Sequence, residues 1–165
     1  MIKYVKGDVT KPEKTDGICV IVHVCNDEGG WGPKDRSVAD AIGKRWPEAK
    51  DEYKQQFADG APGLKLGEVQ LVAIDGENTA GNPPLWIANC IAQHNYRKPG
   101  NLQPFKYEAF EACCDFLVRT FAGQNASFHM PKVGTKLGGA DWHSVEHIIE
   151  RTLEAAGLAV TVYVL

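Results

Sequence analysis

Two glycine-rich loops carry the residues whose types and spacing suit binding chemistry. In the first, an apolar run ending in His23, Cys25 and Asn26 continues into Asp27-Glu28-Gly29-Gly30-Trp31-Gly32. Glycine has no Cβ, so its backbone turns sharply and approaches a ligand closely. A helix that begins after such a loop presents unpaired N–H groups and the positive end of its dipole, which suits a phosphate. The pattern predicts an anion site, and the alternative is a tight turn that binds nothing.

The second loop repeats this design near the other end of the chain. A strand predicted from Ser127 to Val133 runs into Gly134-Thr135-Lys136-Leu137-Gly138-Gly139, and Asp141 is placed to cap a following helix. In open α/β sheets, ligands collect beyond the carboxyl ends of the strands, which is where both loops are expected. Two such loops in one small domain predict a site that holds a diphosphate between them.

A third polar motif, Gly7-Asp8-Val9-Thr10, follows the first predicted strand. A Gly-Asp pair commonly initiates a turn, because the Asp side chain bonds to nearby backbone. A carboxylate also accepts a hydrogen bond from an exocyclic amine such as that of adenine. Both interpretations of Asp8 stay open at the level of the sequence.

The elements that must position these motifs alternate between strands and helices. Strand-like runs occur at Ile2 to Val5, Ile18 to Cys25, Val69 to Ile74, Leu85 to Ala92, Ser127 to Val133 and Leu158 to Val164. Helical patterns cover Asp35 to Arg45, Pro47 to Phe57, Pro104 to Phe121 and Trp142 to Ala156. Several strands are almost continuously apolar, which indicates burial on both faces. We therefore predict a three-layer α/β/α fold around a mixed, mostly parallel sheet of about six strands. Loops rich in Gly, Pro and Asn, at Asp59 to Gly67 and Asp75 to Pro84, are predicted at the surface.

Composition limits the possible partners. The 165 residues are 44% hydrophobic and 24% charged, with a formal net charge of −3, and we expect one domain over residues 1–165. No basic run is present, which argues against nucleic-acid binding through phosphate neutralisation. No apolar run approaches the length of a membrane span. We see no signal-peptide pattern and expect a cytoplasmic protein; nothing in the sequence indicates an oligomeric state.

Cysteine and histidine patterns do not indicate a metal site. The five cysteines are odd in number and lack C-x-x-C spacing, so neither a disulfide framework nor a zinc site is predicted. The adjacent pair Cys113-Cys114 falls on the apolar side of a helix and is interpreted as core. His143-Ser144-Val145-Glu146-His147 matches the inverted zinc-protease signature. Both histidines lie opposite the apolar stripe of that helix, however, and few residues remain to supply a third ligand.

Taken in order, these motifs resemble a macrodomain over essentially the whole chain. The resemblance is greatest to the branch that contains terminal ADP-ribose protein glycohydrolase and its bacterial relatives, in which a His-x-x-polar strand end replaces Asn-Ala-Ala-Asn. It implies an ADP-ribose site, with Asp8 at the adenine amine, both loops around the diphosphate, and Asn26 near the distal ribose. Trp31 would lie over that ribose, or would be a buried aromatic of the loop. The residues implied at the ligand are Asp8, Val9, His23, Cys25, Asn26, Gly29, Gly30, Trp31, Gly32, Gly134, Thr135, Lys136, Leu137, Gly138 and Gly139.

Two positions depart from the glycohydrolase pattern. That enzyme uses a Lys at the end of the strand corresponding to Leu85 to Ala92, and an Asp in the second glycine loop. The matching residues here are Gln93 and Gly138. An amide lacks the nucleophilicity of an amine, so Gln93 cannot form a covalent adduct with an opened ribose. Lys136 and Asp141 stand at other offsets and do not replace the missing pair.

The remaining candidates for catalysis are Asn26, Asp27 and Gln93, which would hold a water against the substrate. Asp27 or Glu28 would be the general base, or both are solvated carboxylates of the loop. We expect an ADP-ribosylhydrolase that removes mono-ADP-ribose from ester-linked Glu or Asp, since esters need little help with the leaving group. No metal or cofactor is implied. The alternatives are a non-catalytic ADP-ribose reader and an ADP-ribose 1″-phosphate phosphatase.

Overall fold

One six-stranded sheet organises the chain. The computed structural model describes residues 1–74 and 84–165. The strands in this part are β1 Lys3–Lys6, β2 Ile18–Asn26, β3 Val69–Ala73, β4 Leu85–Gln93, β5 Ala126–Met130 and β6 Ala159–Val164. Their order across the sheet is β1-β6-β5-β2-β4-β3. Only the β3–β4 pair is antiparallel within this sheet, which confirms the predicted mixed, mostly parallel arrangement.

The helices lie near their predicted places. They are α1 Val38–Arg45, α2 Pro47–Gln55, α3 Tyr107–Phe121 and α4 Trp142–Ile149, and a π-helical turn, Glu150–Glu154, extends α4. Helices α2 and α4 begin at the predicted residues, and α1 and α3 begin three residues later than predicted. Prediction began α1 at Asp35, but that residue has a φ of 60°, and Ser37 caps the helix by accepting from the amide of Asp40. Asp141 caps α4 by accepting from the amide of Ser144, as its position predicted.

Helices cover both faces of the sheet, so the central strands are buried on both sides. Val20 and Val22 of β2 belong to the core cluster under α3 and α4, which also contains the fully buried Cys113 and Cys114. Ile21, which alternates with them, packs into a second cluster with the residues of α1 and α2. This is the three-layer α/β/α arrangement predicted from the unbroken apolar strands.

Strand β5 ends at Met130 rather than at Val133, because Pro131 has no N–H to donate to a sheet. The chain therefore enters the second glycine loop three residues earlier than the apolar pattern predicted. The predicted surface loop Asp75 to Pro84 lies, except for Pro84, outside the described residues. None of the helices within residues 1–74 and 84–165 is both long and apolar enough to cross a membrane.

Candidate functional site

The carboxyl edge of the sheet gathers the polar segments of the chain. Strands β1, β6, β5, β2 and β4 are parallel and therefore end at the same edge. Strand β3 runs the opposite way, so the loop that leads into it also lies there. From one side to the other, this edge carries the segments that follow β1, β5, β2 and β4, and then the segment that precedes β3.

Asn26, the last residue of β2, holds the first glycine loop in shape. Its side-chain oxygen accepts from the amides of Glu28 at 3.0 Å and Gly30 at 3.1 Å. Its amide nitrogen donates to the carbonyl of Gly30 at 2.7 Å. The Tyr53 hydroxyl also donates to the Asn26 side chain, at 2.9 Å, and burial keeps the pKa of Tyr53 well above its usual value. These bonds fix the loop before any ligand arrives.

The first loop leaves amide groups unpaired. Gly29 and Gly32 take φ values of +87° and +129°, conformations in which a side chain is strained. Lys54 ties the loop to α2 by donating to the carbonyl of Gly29 at 2.6 Å. In the described part of the chain, the amides of Trp31 and Gly32 donate to no protein acceptor, whereas the amide of Gly29 is directed at the Tyr53 hydroxyl. The first two amides are donors that an anion can use.

The second loop is closely packed and also rich in unpaired amides. Its shape is fixed by a 2.8 Å bond from the amide of Ala140 to the carbonyl of Gly134. A Cβ on Gly138 would come within 2.5 Å of that same carbonyl oxygen, so this position accepts only glycine without a shift of backbone. Five consecutive amides, from residues 134–138, donate to no acceptor among the residues described. The loop therefore presents consecutive N–H groups that can donate hydrogen bonds to a ligand.

The side chains of this second loop contribute less than its backbone. The Thr135 hydroxyl donates to the carbonyl of Lys132 at 2.8 Å and so stabilises the turn. Lys136 is exposed, and Leu137 is 54% exposed. Gly139 has a φ of +71°, and a Cβ there would lie 2.6 Å from the backbone oxygen of Leu102.

Asp8 makes the local turn that its sequence allows. One of its carboxylate oxygens accepts from both the amide and the hydroxyl of Thr10, at 2.9 and 2.8 Å. Asp8 itself is partly exposed, whereas the side chain of Val9 is buried. The turn orients Asp8 at the β1 end of the carboxyl edge.

Besides Val9, three of the residues implied at the ligand have buried side chains: His23, Trp31 and Cys25. His23 is 2% exposed, and its Nε2 donates to the side-chain oxygen of Asn89 at 2.5 Å. Burial lowers the pKa of His23 to about 4, so this ring is neutral at physiological pH. Trp31 is also buried and packs edge-on against His23, with 5.2 Å between ring centroids. Of the two interpretations given for Trp31 from the sequence, this arrangement is that of a buried aromatic of the loop. Burial raises the pKa of the Cys25 thiol, which makes it a poor nucleophile.

Asp27 is engaged with the loop that follows β4. Its side chain is 15% exposed and accepts from Nδ1 of His94 at 2.8 Å. Its other oxygen accepts from the amide of Asn95 at 2.7 Å. Gln93 is partly buried and accepts from the amide of Asp27 through its backbone oxygen. Asp27 is therefore not a freely solvated carboxylate, whereas Glu28 is exposed.

Sequence reasoning missed three residues of this region: His94, Tyr53 and Tyr96. Tyr96 is 47% exposed and lies against Gly30, with its ring carbon 2.6 Å from an ideal Cβ built there. His94 directly follows Gln93 at the end of a parallel strand, and that position alone was a usable signal. Tyr53 gave no such signal, because it belongs to the apolar face of α2.

The zinc-protease signature on α4 lies on the outside of the molecule. His143 is exposed, and its Nδ1 stands 3.7 Å from Glu146 of its own helix. His147 is exposed as well. Among the residues described, no three His, Cys, Asp or Glu side chains are grouped as metal ligands would be.

Curated proteins with similar sequences fall into two kinds. The chain is 30% identical over 162 residues to chromodomain-helicase-DNA-binding protein 1-like of Mus musculus, covering 98% of this chain and 17% of that protein. It is 25% identical to an ADP-ribose 1″-phosphate phosphatase of Scheffersomyces stipitis, covering 92% of this chain and 94% of the phosphatase. The chain thus spans about a sixth of the first relative and nearly all of the second. A comparison with models of protein families gives no match.

Solved structures match along the whole chain. A Bacteroides thetaiotaomicron protein of unknown function aligns with a TM-score of 0.85 and 36% identity, over 100% of this chain and 98% of its own. A macrodomain protein from Streptomyces coelicolor aligns with a TM-score of 0.79 and 34% identity, over 100% and 99%. Thermosipho africanus DarTG, solved in complex with ADP-ribose, aligns with a TM-score of 0.66 over 90% of this chain and 42% of its own. Its 16% identity shows a shared fold only.

Proposed function

The chain belongs to the macrodomain family, and from this premise we propose that it binds ADP-ribose along the carboxyl edge of its sheet and hydrolyses the bond to a protein acceptor. The observation that carries the proposal is the pair of loops with unpaired amides, at Trp31 and Gly32 and at residues 134–138, which follow the neighbouring strands β2 and β5. A pyrophosphate is a multivalent acceptor that such donors match. The fold neighbour solved with ADP-ribose supports the choice of this ligand.

The order of segments along the edge gives the ligand a direction. Adenine lies at the β1 end, where Asp8 accepts from its exocyclic amine. The diphosphate lies between the loops after β5 and β2. The distal ribose then reaches the ends of β2 and β4, where Asn26 and Gln93 are paired across the strands. Asp8 has one oxygen bonded to Thr10, and the other would meet the base.

The reaction that we propose is attack by water at the distal anomeric carbon, without a covalent enzyme intermediate. Gln93 stands where related glycohydrolases are expected to carry a lysine, and an amide cannot take that role. An ester to Glu or Asp is the substrate that needs the least help, because a carboxylate is a good leaving group. Neither a metal nor a cofactor takes part in the proposed reaction.

A second candidate is phosphatase action on ADP-ribose 1″-phosphate, favoured by the relative from Scheffersomyces stipitis that matches over nearly its full length. A third is a reader that binds ADP-ribose without turnover, which the presence of Gln93 and Gly138 favours. All three bind an ADP-ribose group and differ in what happens to the substituent at its distal anomeric position.

Calorimetry with free ADP-ribose, run beside a turnover assay on a Glu-linked ADP-ribosylated protein, tests the proposal. We expect measurable binding together with release of ADP-ribose from the protein. Binding without release would select the reader, and phosphate release from ADP-ribose 1″-phosphate alone would select the phosphatase. Absence of both binding heat and a thermal shift would overturn the whole proposal.

We also propose a reducing, cytoplasmic setting for this activity. All five cysteines are buried free thiols, which suits a compartment where thiols stay reduced. Measuring the location of a tagged full-length protein checks this.

A further inference from the structure

The carboxyl edge continues past the place where ADP-ribose would end. Beyond the ends of β2 and β4 lies the segment that leads into β3, the last strand of the sheet. Between them is an open cavity of about 590 Å³. We infer that this cavity is the subsite for the polypeptide acceptor and that His94, at its inner end, accepts the proton from the hydrolytic water. The inference rests on the proposed ADP-ribosylhydrolase function.

The cavity has an apolar wall that remains open to solvent. Phe57, Leu64 and Leu66 line it, and Leu66 is 39% exposed although it lies within a tight turn. That turn is held by the amide of Lys65 donating to the side chain of Glu68 at 2.6 Å. A wall fixed in this way is preorganised, so a peptide that covers it does not have to order the loop first.

The charges around the cavity suit an acidic peptide. Lys65 is exposed and, among the residues described, is the one Lys or Arg side chain that lines the cavity. The carboxylate of Asp27 also lines it, but both of its oxygens are already bonded to the loop after β4. A polypeptide acceptor that is modified on Glu or Asp carries acidic side chains near the modified residue. In the proposed subsite, the ammonium group of Lys65 attracts these side chains.

His94 is oriented in the manner of a general base. Its Nδ1–H donates to Asp27 at 2.8 Å, so the lone pair of Nε2 points away from the carboxylate. Asp27 is fixed in turn by the amide of Asn95 at 2.7 Å. A carboxylate behind the ring stabilises the imidazolium that forms when Nε2 takes a proton. Asp27 is then a positioning residue, and His94 is the catalytic one.

The step balances without any further reactant. The oxygen of water forms a bond to the anomeric carbon while the bond from that carbon to the ester oxygen breaks. The bonding electrons leave with the Glu or Asp carboxylate of the acceptor. Nε2 of His94 takes one proton of the water and later releases it to solvent. The products are ADP-ribose and the unmodified acceptor.

The test of the base is His94→Gln, with His143→Gln as the matched control on the exposed face of α4. Glutamine retains a donor toward Asp27 but cannot act as a base. We expect kcat on a Glu-linked ADP-ribosylated peptide to fall about a hundredfold. The pH profile of kcat should change in the same variant. The affinity for free ADP-ribose should stay within about twofold of wild type.

The test of the subsite is Leu66→Glu, with Val164→Glu as its control, since Val164 is similarly exposed, at 36%, on β6. We expect KM for the peptide to rise about tenfold with Leu66→Glu, and no change in the Kd of ADP-ribose, because the new charge repels an acidic acceptor outside the nucleotide site.

The outcomes separate this inference from the proposed function. If wild type binds and hydrolyses but His94→Gln leaves kcat and its pH profile unchanged, the assignment of His94 is wrong. If Leu66→Glu leaves KM unchanged as well, the cavity is not the acceptor subsite. If wild type neither binds ADP-ribose nor releases it, the proposed function fails first.

Discussion

Asn26→Ala is the change that tests whether the first loop is prebuilt for a ligand. The Asn26 oxygen accepts from the amides of Glu28 and Gly30 and from the Tyr53 hydroxyl, at 3.0, 3.1 and 2.9 Å. Its nitrogen donates to the carbonyl of Gly30. Alanine removes all four bonds and leaves the backbone sequence of the loop intact.

The magnitude follows from which groups lose their partner. A typical intramolecular hydrogen bond contributes about 1 kcal/mol net, and a buried group left unpaired costs about 1–3 kcal/mol. Glu28 is exposed, so water replaces its bond, but Gly30 and Tyr53 are less accessible. We expect the loop to lose about 2 kcal/mol of preorganisation. Binding must then supply that ordering, so the Kd for ADP-ribose should rise about thirtyfold.

Isothermal calorimetry measures this directly. Tyr53→Phe removes only the hydroxyl and should give a smaller loss, of about threefold to tenfold in Kd. Asn125→Ala is the matched control: Asn125 is exposed beside the start of β5, at the opposite edge of the sheet. If Asn26→Ala binds as tightly as wild type, the bonds of its side chain do not prepare the loop, and the reasoning is refuted.

Two further predictions concern the second loop and the buried imidazoles. Gly138→Ala puts a Cβ 2.5 Å from the backbone oxygen of Gly134, so we expect ADP-ribose affinity to fall at least tenfold by calorimetry; unchanged affinity would remove the loop from the site. His23 and His129 each have a pKa lowered by burial to about 4, below the usual 6.5. As the pH falls, these two histidines are protonated in the unfolded chain before they are protonated in the folded protein. Their contribution to the free energy of unfolding is therefore complete above pH 6.5 and is lost toward pH 4. For the fully buried His23 the slope is about 1.4 kcal/mol per pH unit, and urea midpoints that stay flat from pH 7 to 4.5 would contradict it.

The sequence was most informative where one physical rule dominates. Strand-like runs predicted the six strands of the described sheet. The continuously apolar ones were the clearest, because residues such as Val20 and Ile21 must be buried on opposite faces of one sheet. The cap at Asp141 was also predicted, because an Asp directly before a helix accepts from an amide of the first turn. The start of α1 was not predicted, because Asp35 takes a left-handed conformation and the helix begins only after the Ser37 cap.

The spacing of the motifs did not predict the direction in which side chains of the site point. Alternation along β2 turns His23 and Cys25 toward the layer of α1 and α2, and only the three-dimensional position of that layer reveals that they are covered. The partnership of Asp27 with His94 joins residues 67 positions apart. It depends on the register between β2 and β4, with its irregularity at Asn26, which no pattern in the sequence encodes.

The departure from the glycohydrolase pattern at Gly138 follows from the shape of the second loop. Any residue larger than glycine at position 138 would meet the carbonyl of Gly134, so the path of this loop is incompatible with an acidic side chain there. The loop can then offer amides but no proton acceptor, and Gln93 offers no nucleophile. In the mechanism that we propose, the acid–base groups near the distal end of the ligand are therefore Asp27 and His94, which join the end of β2 to the loop after β4. The proposed proton transfer therefore takes place on the far side of the first loop rather than at the second loop.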